Sequence, residues 1–269
     1  MTLPIFVINL PHSTERLTDI TEHLRGLNLE FQRVEAVNGH SAEASTLGEY
    51  DNHAMHRIMG RSLTPGEFGC VLSHRKALAA FLAGSEPWAV VLEDDAQVAS
   101  SFPTLLPSVA HWLCQHRPNW RVVNIGHPVV KIYTALTSFQ IAGNTHRLLA
   151  AHYFPMGAFA LLWSRRGAEE LLMRGSRVEL PYDNSLQHWL CRDGEGYALS
   201  PAVVGVKSGQ SDIDSIDGSP EHGISPTRTE RDLLYGVKKF RRLWINRLAA
   251  ISRQQSLRRE IKGRNGASL

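Results

Sequence analysis

The chain opens on a continuous apolar run. Ile5-Phe-Val-Ile-Asn9 is β-prone throughout, the pattern of a strand buried on both faces. Pro11 stops it, and Ser13 is placed to cap a helix. Leu17, Ile20, Leu24 and Leu27 then recur at helical spacing. Phe31 to Val37 reads as a second strand, closed by the turn signal Asn38-Gly39. Strand, helix, strand is a βαβ-type opening and predicts an α/β fold. Thr64-Pro-Gly-Glu67 is a capping box with proline at the first helical position, and its helix runs through Val71, Leu72, Leu78 and Leu82. Ala89 to Leu92 is another buried strand. Further on, a helix is predicted over Leu105–Cys114 and strands over Val122–Gly126 and Gly157–Trp163. Ser164 caps a helix through Leu172. Short strands are predicted near Val129–Tyr133, Arg147–Ala150, Tyr197–Leu199 and Val203–Val206. Residues 40–63 are polar and weakly patterned. Residues 207–230 are rich in Gly, Ser, Asp and Pro, a long polar loop of the kind that is either disordered or a functional lid.

The last stretch changes the picture. Leu233, Val237, Phe240, Trp244, Leu248 and Ile251 succeed one another at spacings of four, three, four, four and three, one apolar helix face. From Arg228 to Arg264 twelve basic residues meet three acidic ones. That segment is +9 in a chain of net charge +3, so the rest carries −6. A body over 1–227 and a basic helical tail over 228–269 are therefore expected. The tail fits an anionic membrane through 233–264, or a helix docked on the body. Nucleic acid is not expected as a partner, because no binding motif accompanies the charge. With 269 residues, 43% of them hydrophobic, the chain has enough apolar residues for one large α/β core. The three cysteines, Cys70, Cys114 and Cys191, form neither a disulfide framework nor a zinc spacing, which suggests a reducing compartment. Ile5 to Leu10 is strand-length rather than signal-length, and no stretch approaches a membrane span. A cytoplasmic protein is expected, peripheral at the inner membrane face if the tail binds there.

The chemistry converges on Glu93-Asp94-Asp95, directly after the Ala89–Leu92 strand. Three adjacent carboxylates repel one another unless something positive sits among them. At the carboxyl end of a buried α/β strand that is a divalent cation holding a ligand, and oxygen donors suit Mg²⁺ or Mn²⁺. A solvated acidic turn is the alternative. Arg16 sits in the first turn of its helix, against the dipole, so it is either solvated or facing an anion. Ser73, His74 and Arg75 are polar cargo within a helix that leads to the acidic strand. They are surface groups or they face the same crevice. His53 and His56 lack a third ligand and read as surface. Asp183 stands near a helix start, where an N-cap is its simplest role.

Together, several stretches resemble glycosyltransferase family 25, the lipopolysaccharide-biosynthesis galactosyltransferases that also include the collagen galactosyltransferases. They are Val7-Ile-Asn-Leu10 with Arg16, Glu35-Ala-Val-Asn-Gly39, Leu63-Thr-Pro-Gly-Glu-Phe-Gly-Cys-Val-Leu-Ser-His74 and Val91-Leu-Glu-Asp-Asp-Ala96. Gly157-Ala-Phe-Ala with Ser164-Arg-Arg-Gly-Ala-Glu-Glu-Leu171, and Pro181-Tyr-Asp183, complete the set. The resemblance covers about 5–206 and leaves out the tail. It implies a GT-A-type, Rossmann-like nucleotide-sugar-binding fold, and inverting transfer of a hexose, typically galactose from UDP-galactose, to a sugar hydroxyl. The acceptor would be a glycan or a lipid-linked oligosaccharide. Under the resemblance, Glu93 and Asp95 hold Mn²⁺ or Mg²⁺ and Asp94 lies near the nucleotide. Asn9, Arg16, Gly39, Glu67, Ser73 and His74 line the nucleotide side, and Ser208 to Asp214 close over the donor. Asp183 is the catalytic base, with Asp212 and Asp214 as alternatives. Asn38 stands where the family often has an acidic residue before the glycine. Two rivals remain: a metal-dependent nucleotidyltransferase or phosphohydrolase on the same carboxylates, and a non-catalytic sugar-binding member.

Overall fold

The computed structural model describes residues 3–41, 49–174, 177–207 and 231–266. Its first unit is β1 (Ile5–Asn9), α1 (Thr14–Gly26) and β2 (Gln32–Glu35), with β1 and β2 parallel. Next, α2 (Asn52–Met59) and α3 (Pro65–Ala83) lead into β3 (Trp88–Glu93), which joins the other side of β1, also parallel. β2 stops short of the expected Val37 because the Val37 amide donates to the Ser73 hydroxyl on α3 at 2.8 Å instead of to a strand. α2 lies where no pattern was evident. Its signals are local: Asp51 caps it by accepting from the Ala54 amide at 2.8 Å, and Gly60 ends it at φ 72°.

The chain continues through β4 (Ala96–Val98), α4 (Phe102–His116) and β5 (Val122–Asn124). A hairpin of β6 (Tyr133–Ile141) and β7 (Asn144–Ala151) stands there: β7 contains the expected Arg147–Ala150 strand, and β6 begins at Tyr133, where the other expected strand was to end. It turns at Ala142 and Gly143, both at positive φ, the twist a two-residue hairpin needs. Then come β8 (Ala160–Ser164), α5 (Arg165–Met173), α6 (Tyr182–Asp193), β9 (Gly196–Ser200) and β10 (Val204–Val206). β8 begins later than expected, because Gly157 takes φ 83° and spends its amide and carbonyl on side chains, not on a ladder.

Among the described residues eight strands form one sheet in the order β2-β1-β3-β8-β5-β9-β7-β6, and β4 pairs with β10 in a separate ribbon. β8 runs antiparallel to β3 and β5, while β5 and β9 are parallel. The parallel β2-β1-β3 end is the Rossmann-like part. The core lies on both faces of the sheet. Trp88, Val90 and Leu92 of β3 enter one cluster with α1 and α4, and Ala89 and Val91 enter the other with α2, α3, α5 and α6. That two-sided burial is why β1 and β3 read as unbroken apolar runs. β1 continues to β2 on one side, and β3 returns on the other. The order reverses at β1, so a crevice opens beyond the carboxyl ends of β1 and β3.

A final helix, α7 (Tyr235–Gly266), is the expected helical extension and packs against α2, α6 and β6. Among the described residues no helix is long and apolar enough to cross a membrane. The loop from Ser208 to Asp214, including Asp212 and Asp214, lies outside the described residues, as does the expected boundary at 227–228.

Candidate active site

A half-open crevice lies at the carboxyl ends of β1 and β3, with about 780 Å³ of space that includes its open mouth. Its floor is the carboxyl edge of β1 and β3: Ile8, Asn9, Glu93, Asp94 and Asp95. Its walls come from the 36–40 loop, Arg16 of α1, and Gly66, Cys70, Ser73 and His74 of α3. The structure thus gathers Asn9, Arg16, Gly39, Ser73, His74, Glu93, Asp94 and Asp95 on one surface. Glu67 and Asp183 are not on it.

Asn9 is the hub. It is 1% exposed. Its amide donates to Asp94 Oδ2 at 2.7 Å and to the Ser13 carbonyl at 3.0 Å. Its own oxygen accepts from Arg33 Nε at 3.1 Å. Arg16 Nη1 lies 3.4 Å from the other Asp94 oxygen. Asp94 is therefore held in place by a neutral donor and a cation from the first βαβ unit. Arg33, on β2, had no motif to mark it. It is legible only once β1 and β2 are known to pair.

Glu93 turns toward α3, where His74 Nε2 stands 3.2 Å from its Oε1. The His74 ring is stacked on Tyr182 of α6 at 4.0 Å between centroids. Asp95 differs from both neighbours. Its Oδ1 is buried and has no hydrogen-bond partner among the described residues. Burial, then the charges of Glu93 and Asp94, push its carboxyl up to about 6. Arg16 and a backbone amide offset this only in part, and a carboxylate with one buried oxygen unmet and like charges beside it is a place where a cation lowers the energy. The chemistry of the donors fits as well: Glu93 and Asp95 offer oxygens of the kind Mg²⁺ or Mn²⁺ takes. A second grouping, Cys70, His74 and Glu93, brings its ligand atoms within 4.8 Å of one another. Cys70 precedes His74 by four residues, so a shared helix face was readable in the sequence. Burial holds the Cys70 thiol well above its ordinary range. A protonated thiol is a poor metal ligand, so Cys70 would have to lose its proton before this grouping could hold a cation.

The remaining candidates have structural partners. Ser73 accepts from Val37 and donates to the Gly69 carbonyl at 2.7 Å, which fixes the loop after β2. A Cβ on Gly39 would lie 1.7 Å from the Pro65 carbonyl oxygen, so only glycine lets this loop meet the start of α3. Glu67 completes the capping box with Thr64 and takes both Arg61 nitrogens, at 2.8 and 2.6 Å. Asp183, in the first turn of α6, accepts from the Gly157 amide at 2.9 Å. Burial raises its proton affinity, and Glu93 and His74 are near enough for their charges to act on it. His56 Nε2 meets the Ser62 hydroxyl at 3.0 Å.

A reversed strand order with polar groups at its carboxyl edge is the place where α/β proteins take small ligands. The chain belongs to glycosyltransferase family 25, whose family model, described as an LPS biosynthesis protein, matches residues 2–186. The fold is accordingly GT-A-like. Procollagen galactosyltransferase 1-B of Xenopus laevis is 28% identical over 219 residues, 74% of this chain and 35% of that protein. A probable inactive glycosyltransferase 25 family member 3 of Rattus norvegicus is 26% identical over 175 residues, 60% of this chain and 30% of that protein. The chain thus spans about a third of the length of these curated relatives. Among solved structures, a glycosyltransferase involved in glycosylating the major capsid of PBCV-1 aligns with 80% of this chain and 98% of its own. Its TM-score is 0.40 and its identity 12%.

Proposed function

We propose that the protein is a metal-dependent, inverting hexosyltransferase. It moves a hexose, with galactose from UDP-galactose the first donor to test, to a sugar hydroxyl of a lipopolysaccharide, lipooligosaccharide or other glycan. The observation that carries this reading is Asp95 Oδ1, buried, unpartnered and beside two further carboxylates in a crevice at the sheet's carboxyl edge. Family membership and the relatives named as galactosyltransferases support the choice of reaction and sugar.

Glu93 and Asp95 would hold Mn²⁺ or Mg²⁺. The ion, when bound, acts as a Lewis acid on the diphosphate and offsets the charge of the leaving nucleotide. Arg16 and the Asn9–Asp94 pair bind and orient the donor at the end of β1. The 36–40 loop, pinned by Ser73, forms the wall against the nucleotide. Inversion needs a base opposite the leaving group, and Asp183 is the assignment. Its raised proton affinity brings it closer to neutral pH, where a general base works best.

The test is calorimetric titration of UDP-galactose with and without Mn²⁺, and then UDP release with a panel of sugar acceptors. Metal-dependent donor binding and acceptor-dependent UDP release are expected, and Asp95→Ala loses both. Asp183→Asn keeps donor binding and loses transfer. Release of phosphate or pyrophosphate instead would assign the carboxylates to a phosphohydrolase or nucleotidyltransferase. Donor binding without transfer to any acceptor would make the chain a binding-only member.

A further inference from the structure

The tail helix is docked with the wrong side out for an ordinary surface helix. α7 meets the body through polar and small residues. Asn246 is 1% exposed and Ala250 is fully buried. Asn246 Oδ1 lies 3.2 Å from His188 Nδ1 on α6. Lys238 Nζ donates to the His56 carbonyl at 2.8 Å, and Gln254 donates to the Tyr133 carbonyl at 2.6 Å. Arg253 binds the Arg192 carbonyl, and Glu260 reaches Arg117 at 3.3 Å. Residues 238, 242, 246, 250, 253 and 257 share that side by helical spacing.

The apolar stripe read from the sequence lies on the other side. Val237 is 64%, Phe240 63%, Trp244 44% and Leu248 59% exposed. Phe240 and Trp244 stand together, ring centroids 5.7 Å apart. A contiguous apolar strip of this kind marks a surface that meets something else. Arg241, Arg247, Arg258, Arg259 and Lys262 are all exposed around and beyond it. The one acidic residue within the described helix, Glu260, is engaged with the body.

We propose that α7 lays the protein on an anionic membrane surface, its Val237–Ile251 stripe entering the acyl boundary and its exposed Lys and Arg meeting lipid phosphates. The charge pattern selects this occupant. Two copies joined stripe to stripe would bring their basic residues together with no acid on that face to offset them. A lipid surface supplies apolar depth and negative charge at once, the combination that an amphipathic basic helix binds. Among the described residues the body leaves the stripe uncovered, since the helix spends its opposite side there.

The test uses the full chain and flotation with vesicles, either neutral phosphatidylcholine or phosphatidylcholine with phosphatidylglycerol. Flotation with the anionic vesicles only, weakened by raised salt, is expected. The double variant Val237→Glu with Leu248→Glu should cut that binding by about tenfold or more. Both positions are more than half exposed on the side away from the body, so its melting temperature and its donor titration should match the parent's. Arg241→Gln with Arg247→Gln should weaken binding while keeping the stripe. No flotation at low salt overturns the proposal, as does equal flotation by the Glu variant. A concentration-dependent dimer that the Glu variant dissolves, without vesicle binding, overturns it in favour of a second copy.

Discussion

The sharpest test of the acidic crevice is to remove one charge from it without changing its shape. In Asp95→Asn the side chain keeps its size and loses its negative charge. In the parent without metal, the folded state raises the Asp95 carboxyl from 3.8 to about 6. A group with a raised folded pKa binds more protons folded than unfolded, so its ionisation costs stability. That cost is absent below about pH 4, grows as pH rises through 6, and is complete above. A rise of about two units corresponds to roughly 3 kcal/mol. Part of the group remains in contact with solvent, which screens the repulsion, so about 1–2 kcal/mol is the fair expectation. Without metal at pH 7.5, Asp95→Asn should therefore be the more stable protein, melting about 2–6 °C higher for a chain of this size. The gain should vanish near pH 4. Mn²⁺ reverses the order: it should raise the melting temperature of the parent and leave the variant nearly unchanged, since a cation that binds only the folded state stabilises it by mass action. The assay is thermal unfolding in EDTA and in a Mn²⁺ series, for both proteins, across pH 4–8. A variant no more stable than the parent in EDTA at pH 7.5, or one that Mn²⁺ stabilises equally, would refute the reasoning.

Three other substitutions test particular contacts. Asn9→Ala removes the amide that holds Asp94 and the oxygen that holds Arg33, so denaturant unfolding should show a loss of about 1–3 kcal/mol, with weaker UDP binding by calorimetry. Glu67→Ala breaks the capping box and the paired contact with Arg61 and should cost about 1–3 kcal/mol, while metal-dependent donor binding survives because the residue is off the crevice wall. His152 is held down to about 4, first by burial and then by Arg258 and Arg253. A depressed histidine contributes stability that is present above about pH 6.5 and lost as pH falls toward 4. His152→Gln should therefore lose less stability than the parent across that window, by about 1–2 kcal/mol after allowing for solvent.

Much of the fold was legible because its signals are local. The strands β1 and β3 announce themselves by unbroken apolar runs, α3 by its capping box, α5 by Ser164. What was not legible depends on partners far along the chain. Val37 has strand chemistry, yet its amide belongs to Ser73, so β2 ends early. Gly157 looks like the start of a strand, yet Asn124 and Asp183 hold its carbonyl and amide. The tail shows the same limit in another form. Helical periodicity identified the apolar face of α7 correctly and said nothing of whether that face turns in or out. The decision rests with Asn246, Ala250 and Arg253, polar and small residues whose fit to α6 no pattern of hydrophobicity can express.

The crevice divides in the same way. Glu93, Asp94 and Asp95 are adjacent in sequence and were readable as one acidic cluster, but adjacency gave all three the same standing. The fold separates them. Asp94 is satisfied by Asn9 and Arg16, from 85 and 78 positions away. Glu93 is faced by His74, which Tyr182 stacks from α6. Asp95 is left with a buried oxygen that nothing in the described residues meets. The sheet edge thus takes three like charges and compensates two of them with protein groups. The third keeps a deficit that a hard cation would fill. Under the proposed function this arrangement would tie donor binding to metal binding through one carboxylate, which is why a single amide at position 95 should stabilise the metal-free chain and disable it together.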